Sequence, residues 1–264
     1  MFKDHSRLLL VAAITIFSAC NDTEPEVIQK KPVTSIELLK KELTKYPDSL
    51  FLTEKLIEYY RNQGNYDSAI SITDAALKKD PMIPDLWDII GTLYYENEDT
   101  ANAIHAFETA INIYQHPDYL LSLGTLYAET KNPRALEIAE ALTSNPKDKK
   151  EKEAIFIRGL YNSYKGDKKL ALKYFDSCLA IDPAYMFAYR EKGIALYDLG
   201  KYDEAVKVLT KAVTLQNSFD EGYYWLGKCF EKLGNKERAV DSYQHALMYD
   251  KDFVEAREAL EKLK

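Results

Sequence analysis

The sequence predicts an all-α protein built as a solenoid of stacked helix pairs, and three observations carry that prediction. Apolar residues recur at three- and four-residue spacing, as in DLWDIIGTLYYE (Asp85 to Glu96), where Leu86, Ile89, Ile90, Leu93 and Tyr94 share a face. Alternating apolar and polar runs bounded by turn signals, the mark of strands, are nearly absent. Finally, glycine returns at Gly91, Gly124, Gly159, Gly193 and Gly227 with gaps of 33, 35, 34 and 34. Alanine does the same at Ala69, Ala103, Ala135, Ala171, Ala205 and Ala239, with gaps of 34, 32, 36, 34 and 34. A period near 34 marks an internal repeat whose units cannot bury their apolar faces alone.

The elements follow in chain order. MFKDHSR supplies Lys3 and Arg7 ahead of an apolar run from Leu8 to Phe17. That run is too short to cross a bilayer, which takes about 20 residues, and suits the core of a signal peptide over residues 1–19. Ser18 and Ala19 directly before Cys20 resemble the lipobox of bacterial lipoproteins, with Phe17 in place of the usual leucine. The resemblance implies that Cys20 is acylated and becomes the mature N-terminus; an ordinary secretory signal with a nearby cysteine is the alternative. Asn21 after the cysteine, in such proteins, implies sorting to the outer membrane of a bacterial cell envelope, facing either the periplasm or the exterior. Residues 20–33, polar and carrying Pro25 and Pro32, read as a flexible tether.

The folded body is expected from 34 to 264. Thr34 with Glu37 three residues on is a capping-box signature opening a helix over 34–46, whose Ile36, Leu39 and Leu43 cover the first repeat. Six units then span about 48–250. The second carries Trp87, Ile90, Gly91, Tyr94, Ala103, Phe107 and Ala110 at fixed offsets, and the sixth carries Tyr223, Leu226, Gly227, Phe230, Ala239, Tyr243 and Ala246. The first has Ile57 where glycine is expected, and the third is shortened around ETKNPRALEIA. VEAREALEKLK, with Val254, Ala256, Leu260 and Leu263 among charges, reads as a capping helix over 253–264.

These offsets resemble the tetratricopeptide repeat, an aromatic followed by Leu-Gly, Tyr, Ala, Phe, Ala and a closing Pro. The resemblance implies a right-handed superhelical solenoid of about six helix-turn-helix units and a concave groove, lined by the first helix of each, that receives a protein or peptide. It also gives the glycines a reason. A glycine mid-helix costs about 1 kcal/mol relative to alanine, and close packing of the second helix offsets that cost.

Chemistry that would make this an enzyme is not legible. No GxSxG, HExxH, phosphate-binding loop or dinucleotide fingerprint is present. His105 and Glu108 stand three apart with no second pair and read as a helix surface. SNPK, Ser144 to Lys147, is an SxxK without its companion motifs. Neither a cofactor nor a metal is expected. A formal charge of −7 argues against nucleic-acid partners. Cys178 and Cys229 fall in different units and read as buried free thiols. KDKKEKE, Lys147 to Glu153, reads as a solvated helix start.

Mapping groove-facing offsets divides the groove in two. Glu54, Glu58, Asp85, Asp88, Tyr95 and Glu96 form an acidic wall. Phe156, Leu160, Tyr164, Phe187, Arg190, Ile194, Tyr197, Tyr224 and Lys228 form an aromatic, partly basic surface of the composition found at binding hot spots. A one-position slip in register would turn these same residues into inter-repeat core. The Lys/Asn clamp of chaperone-binding relatives is absent, since Glu54, Glu58, Asp88 and Thr92 hold the corresponding kinds of position. The expectation is a lipid-anchored, non-catalytic scaffold for a protein or peptide. A factor that handles several clients in envelope assembly or secretion is the second class.

Overall fold

The computed structural model describes residues 35–144 and 150–263. The signal segment, Cys20, the tether, the Thr34 cap and most of SNPK lie outside the described residues.

Among the described residues every regular element is an α-helix. α1 (Ser35–Lys45) precedes six antiparallel pairs: α2 (Leu50–Asn62) with α3 (Tyr66–Lys79), α4 (Pro84–Glu96) with α5 (Thr100–Ile113), and α6 (Pro117–Glu129) with α7 (Arg134–Ser144). The remaining three are α8 (Glu151–Lys165) with α9 (Lys168–Ile181), α10 (Met186–Asp198) with α11 (Tyr202–Leu215), and α12 (Asp220–Lys232) with α13 (Lys236–Tyr249). α14 (Val254–Lys262) packs on α13 and closes the stack.

Four of the six pairs turn through one local device, and the third turns through Asn132, whose Oδ1 accepts the Arg134 N–H at 3.1 Å. Asn65, Asp99, Asp167 and Asn235 cap the second helix, their side-chain oxygens accepting the backbone N–H of Ser68, Asn102, Leu170 and Arg238 at 3.0–3.1 Å. The residue before the cap is left-handed: Gly64, Gly166 and Gly234 supply it freely, whereas Glu98 (φ 62°) and Lys131 (φ 59°) adopt it against their side chains.

The core lies along the stack as four clusters of buried apolar side chains. A methyl built on Gly91 would lie 2.6 Å from the Phe107 ring; the partners of Gly159, Gly193 and Gly227 are Phe175, Leu209 and Tyr243, with approaches of 2.6, 2.6 and 2.5 Å. Each partner follows its glycine by sixteen residues. The glycine therefore admits a large side chain from the second helix. In the first unit the sizes are exchanged: Ile57 holds the glycine position, and Thr73, sixteen residues on, is fully buried with its hydroxyl on the Ala69 carbonyl at 2.9 Å.

The third unit departs from this scheme. α7 opens at Arg134, two residues after Asn132, where α3, α5, α9, α11 and α13 open directly after their N-cap residues. Gly124 meets Ile138 of α7 at 2.8 Å and also Ile157 of α8 at 2.5 Å, so α8 packs directly on α6.

Candidate functional site

The inner helices α4, α6, α10 and α12 carry the groove positions. Thr92 and Tyr95 of α4, Leu121, Ser122, Thr125 and Glu129 of α6, Arg190 of α10 and Glu221 of α12 line one cavity of about 410 Å³. Its polar groups are ordered across units. The Tyr95 hydroxyl donates to Glu129 Oε2 at 2.9 Å. Arg190 Nη1 donates to both Glu221 oxygens at 2.9 Å, and its Nε donates to Glu191 Oε1 at 2.9 Å. Burial pushes the Glu129 carboxyl above the usual carboxylate range against the opposing effect of the Tyr95 hydroxyl, and burial holds the Tyr164 phenol up at about 12.

A second cavity of about 320 Å³ adjoins the first through Thr92 and is lined by Glu54, Glu58, Arg61 and Asp88 among apolar residues. Arg61 is held at its rim, its Nε donating to Glu96 Oε2 at 2.7 Å. The buried Oδ1 of Asp88 has no hydrogen-bond partner, and burial raises its carboxyl while the Ser122 hydroxyl opposes the rise. Asp85 accepts the Tyr119 hydroxyl from the next unit.

The nine residues assigned to the aromatic surface separate on inspection. Phe156 and Leu160 are 4% and 2% exposed and belong to the core, which corrects their placement in the groove. The physical reason is local: α8 lies directly against α6, and Phe156 is enclosed by Phe175 (6.1 Å between ring centroids) and Tyr185 (5.3 Å). Phe187 is 52% exposed, set on the edge of Phe156 with the Arg190 guanidinium 5.5 Å from its ring, and Tyr164 is also exposed. Arg190 faces the cavity. Ile194, Tyr197, Tyr224 and Lys228 are half-buried. Tyr197 packs edge-on against Trp225 (5.5 Å), and Tyr224 against Phe253 at the C-terminal end (5.0 Å), so both serve the stack as well as its surface.

Glu129, Ser122 and Thr125 were missed because the third unit contributed nothing to the mapped groove, and Glu221 because the sixth unit was mapped only from Tyr224 onward. The signal was available: offsets counted from Gly124 in the same way reach Leu121, Thr125 and Glu129, and one turn before Tyr224 stands Glu221.

Residues that resembled chemistry have structural partners. Glu108 accepts the Tyr127 hydroxyl and Arg134 Nη1. His105 packs edge-on against Trp87 at 6.4 Å. Cys178 and Cys229 are free and buried, and burial pushes both thiols up to about 12. At the start of α8, Lys152 reaches Asp182 of the following loop at 2.9 Å.

Family models described as tetratricopeptide repeat match residues 55–119, 153–185 and 220–253, and one described as TPR repeat matches 193–234. The chain is 24% identical over 245 residues to TPR repeat-containing protein YpiA of Bacillus subtilis, covering 88% of this chain and 54% of YpiA. It is 23% identical over 223 residues to the Hsp70-Hsp90 organizing protein of Triticum aestivum, covering 78% of this chain and 37% of that protein. The chain thus spans about half or less of the length of these relatives. Among solved structures, a tetratricopeptide repeat protein from Parabacteroides merdae superposes with a TM-score of 0.71 at 20% identity, over 87% of this chain and 91% of that one.

Proposed function

Because this chain is built of tetratricopeptide repeats, we propose that it is a non-catalytic scaffold holding a protein or peptide segment in its concave groove. The observation that carries the reading is the cavity lined jointly by α4, α6, α10 and α12. Four inner helices, drawn from four different units, turn polar side chains into one recess, with exposed Phe187 on α10 and exposed Tyr164 on the inner helix α8. Pockets with few convergent polar groups, flanked by aromatic surface, are where binding energy concentrates. The name of one relative above, the Hsp70-Hsp90 organizing protein, fits a scaffold role for this repeat.

The scaffold is tethered to a membrane of a bacterial cell envelope, the outer membrane by the residue after the cysteine, through a lipid on Cys20. A tether raises the local concentration of a weakly held partner, so modest affinity suffices. Two experiments test the two parts. Crosslinked affinity purification from solubilised membranes compares wild type with Tyr164→Ala/Phe187→Ala, both exposed and dispensable for the core. One stoichiometric partner lost in the folded variant supports the scaffold, many sub-stoichiometric ones favour a client-handling factor, and unchanged recovery sends binding to another face. Fractionation of Cys20→Ala tests the anchor: a variant that still partitions with lipid contradicts it.

A further inference from the structure

The groove cavity has a charge balance that favours one kind of guest. Glu129 receives one donor, the Tyr95 phenol at 2.9 Å, and keeps acceptor capacity facing the cavity. Glu221 spends both oxygens on a single Arg190 nitrogen, while Glu191, 5% exposed, takes Nε. Two carboxylates thus share one guanidinium while Glu129 lines the same half-open recess with no cation bonded to it, leaving the cavity with an excess of negative charge. The adjoining cavity carries a smaller excess: Glu54 and Asp88 line it with Arg61, itself engaged by Glu96, while Glu58 is paired with Lys55 at 2.7 Å, and Asp88 Oδ1 lies buried without a partner. Leu121 supplies an apolar wall along which a methylene stem can lie, as long cationic side chains do.

We propose that this cavity admits a single lysine or arginine side chain from an extended segment of the partner, its charged head meeting Glu129 and its stem lying on Leu121. An acidic guest would add to the excess of carboxylates, and an apolar one would leave Glu129 without its second partner. The proposal rests on the groove reading above and adds to it the chemistry of the guest.

The test is a displayed library of random twelve-residue peptides selected on the whole chain, with Thr125→Lys and Glu129→Gln beside wild type. Glu129→Gln keeps an acceptor for Tyr95 and removes the charge, and circular dichroism melts check that it stays folded. Thr125→Lys, one turn before Glu129, places an ammonium in the cavity and blocks it by occupation. Groove binding is verified by competition between selected peptides and by loss on Thr125→Lys.

The expected result is one aligned lysine or arginine among selected peptides. Its replacement by norleucine should weaken binding at least tenfold on wild type and change it less than twofold on Glu129→Gln. Peptides that compete for the groove without a basic position, or an equal norleucine effect on both proteins, overturn the basic-guest assignment and leave the groove reading standing. Selection of no peptide that Thr125→Lys or groove competition displaces overturns both.

Discussion

Replacing Gly91 by alanine should destabilise the protein, although alanine is the better helix former. The substitution recovers about 1 kcal/mol of helix propensity. Against that, the new methyl would lie 2.6 and 2.7 Å from two carbons of the Phe107 ring, well inside contact distance, and Phe107 is a core residue, 4% exposed. Overpacking of this kind costs about 1–3 kcal/mol. The cost exceeds the gain, leaving a net loss of about 1–2 kcal/mol at the upper part of that range. For a chain of this size each kcal/mol moves Tm by about 2–4 °C, so thermal melts followed by circular dichroism should show Tm lower by about 3–6 °C. The decisive comparison is a double-mutant cycle with Phe107→Ala. With the ring removed, Gly91→Ala should become neutral or stabilising by up to about 1 kcal/mol, the propensity term alone. An unchanged or raised Tm for Gly91→Ala in the wild-type background would refute the close-approach explanation of the repeating glycine.

Glu98→Gly should stabilise the protein by up to about 1 kcal/mol, because Glu98 holds a left-handed φ of 62° that Gly200 (φ 72°) supplies at the equivalent turn without strain; chemical denaturation measures it. Arg190→Ala strips the buried Glu191 of its partner and should cost about 3 kcal/mol near neutral pH. Burial then holds Glu191 above the usual carboxylate range with only the charge of Lys168 opposing it, so the folded carboxyl binds its proton more tightly than the unfolded one. The Tm deficit of Arg190→Ala should therefore be smaller at pH 5 than at pH 8, and an equal deficit would contradict a charge origin. In the Cys20→Ala background, Cys178 and Cys229 should resist Ellman's reagent until the protein is unfolded, being buried with thiols raised to about 12.

The all-helical stack was legible because its cause is local and recurs. Gly91, Gly159, Gly193 and Gly227 each face a large residue sixteen positions on, so the spacing in the chain is the spacing of a contact. The first unit concealed the same rule by exchanging sizes, with Ile57 at the glycine position and Thr73 at the position of the large side chain. The groove was only partly legible, since whether a side chain at a given offset meets water depends on how the next unit is seated. Phe156 and Arg190 hold the same offset from their glycines, yet one is core and the other faces the cavity. The difference arises at the third unit, where α6 comes directly against α8 and a methyl at Gly124 would meet Ile157. No periodicity within α8 reports that seating. The cavity itself joins Tyr95 to Arg190 across units not adjacent in the chain, and only the superhelical path brings such positions together.

The central claim, that partners occupy the concave groove, is tested most directly by a photo-crosslinking amino acid placed at single positions in cells that make the protein. Thr125 lies in the cavity, and Met248, on α13, is exposed outside it. The account predicts a discrete crosslinked adduct from position 125 and none from position 248. An adduct from position 248 with none from position 125 would contradict it.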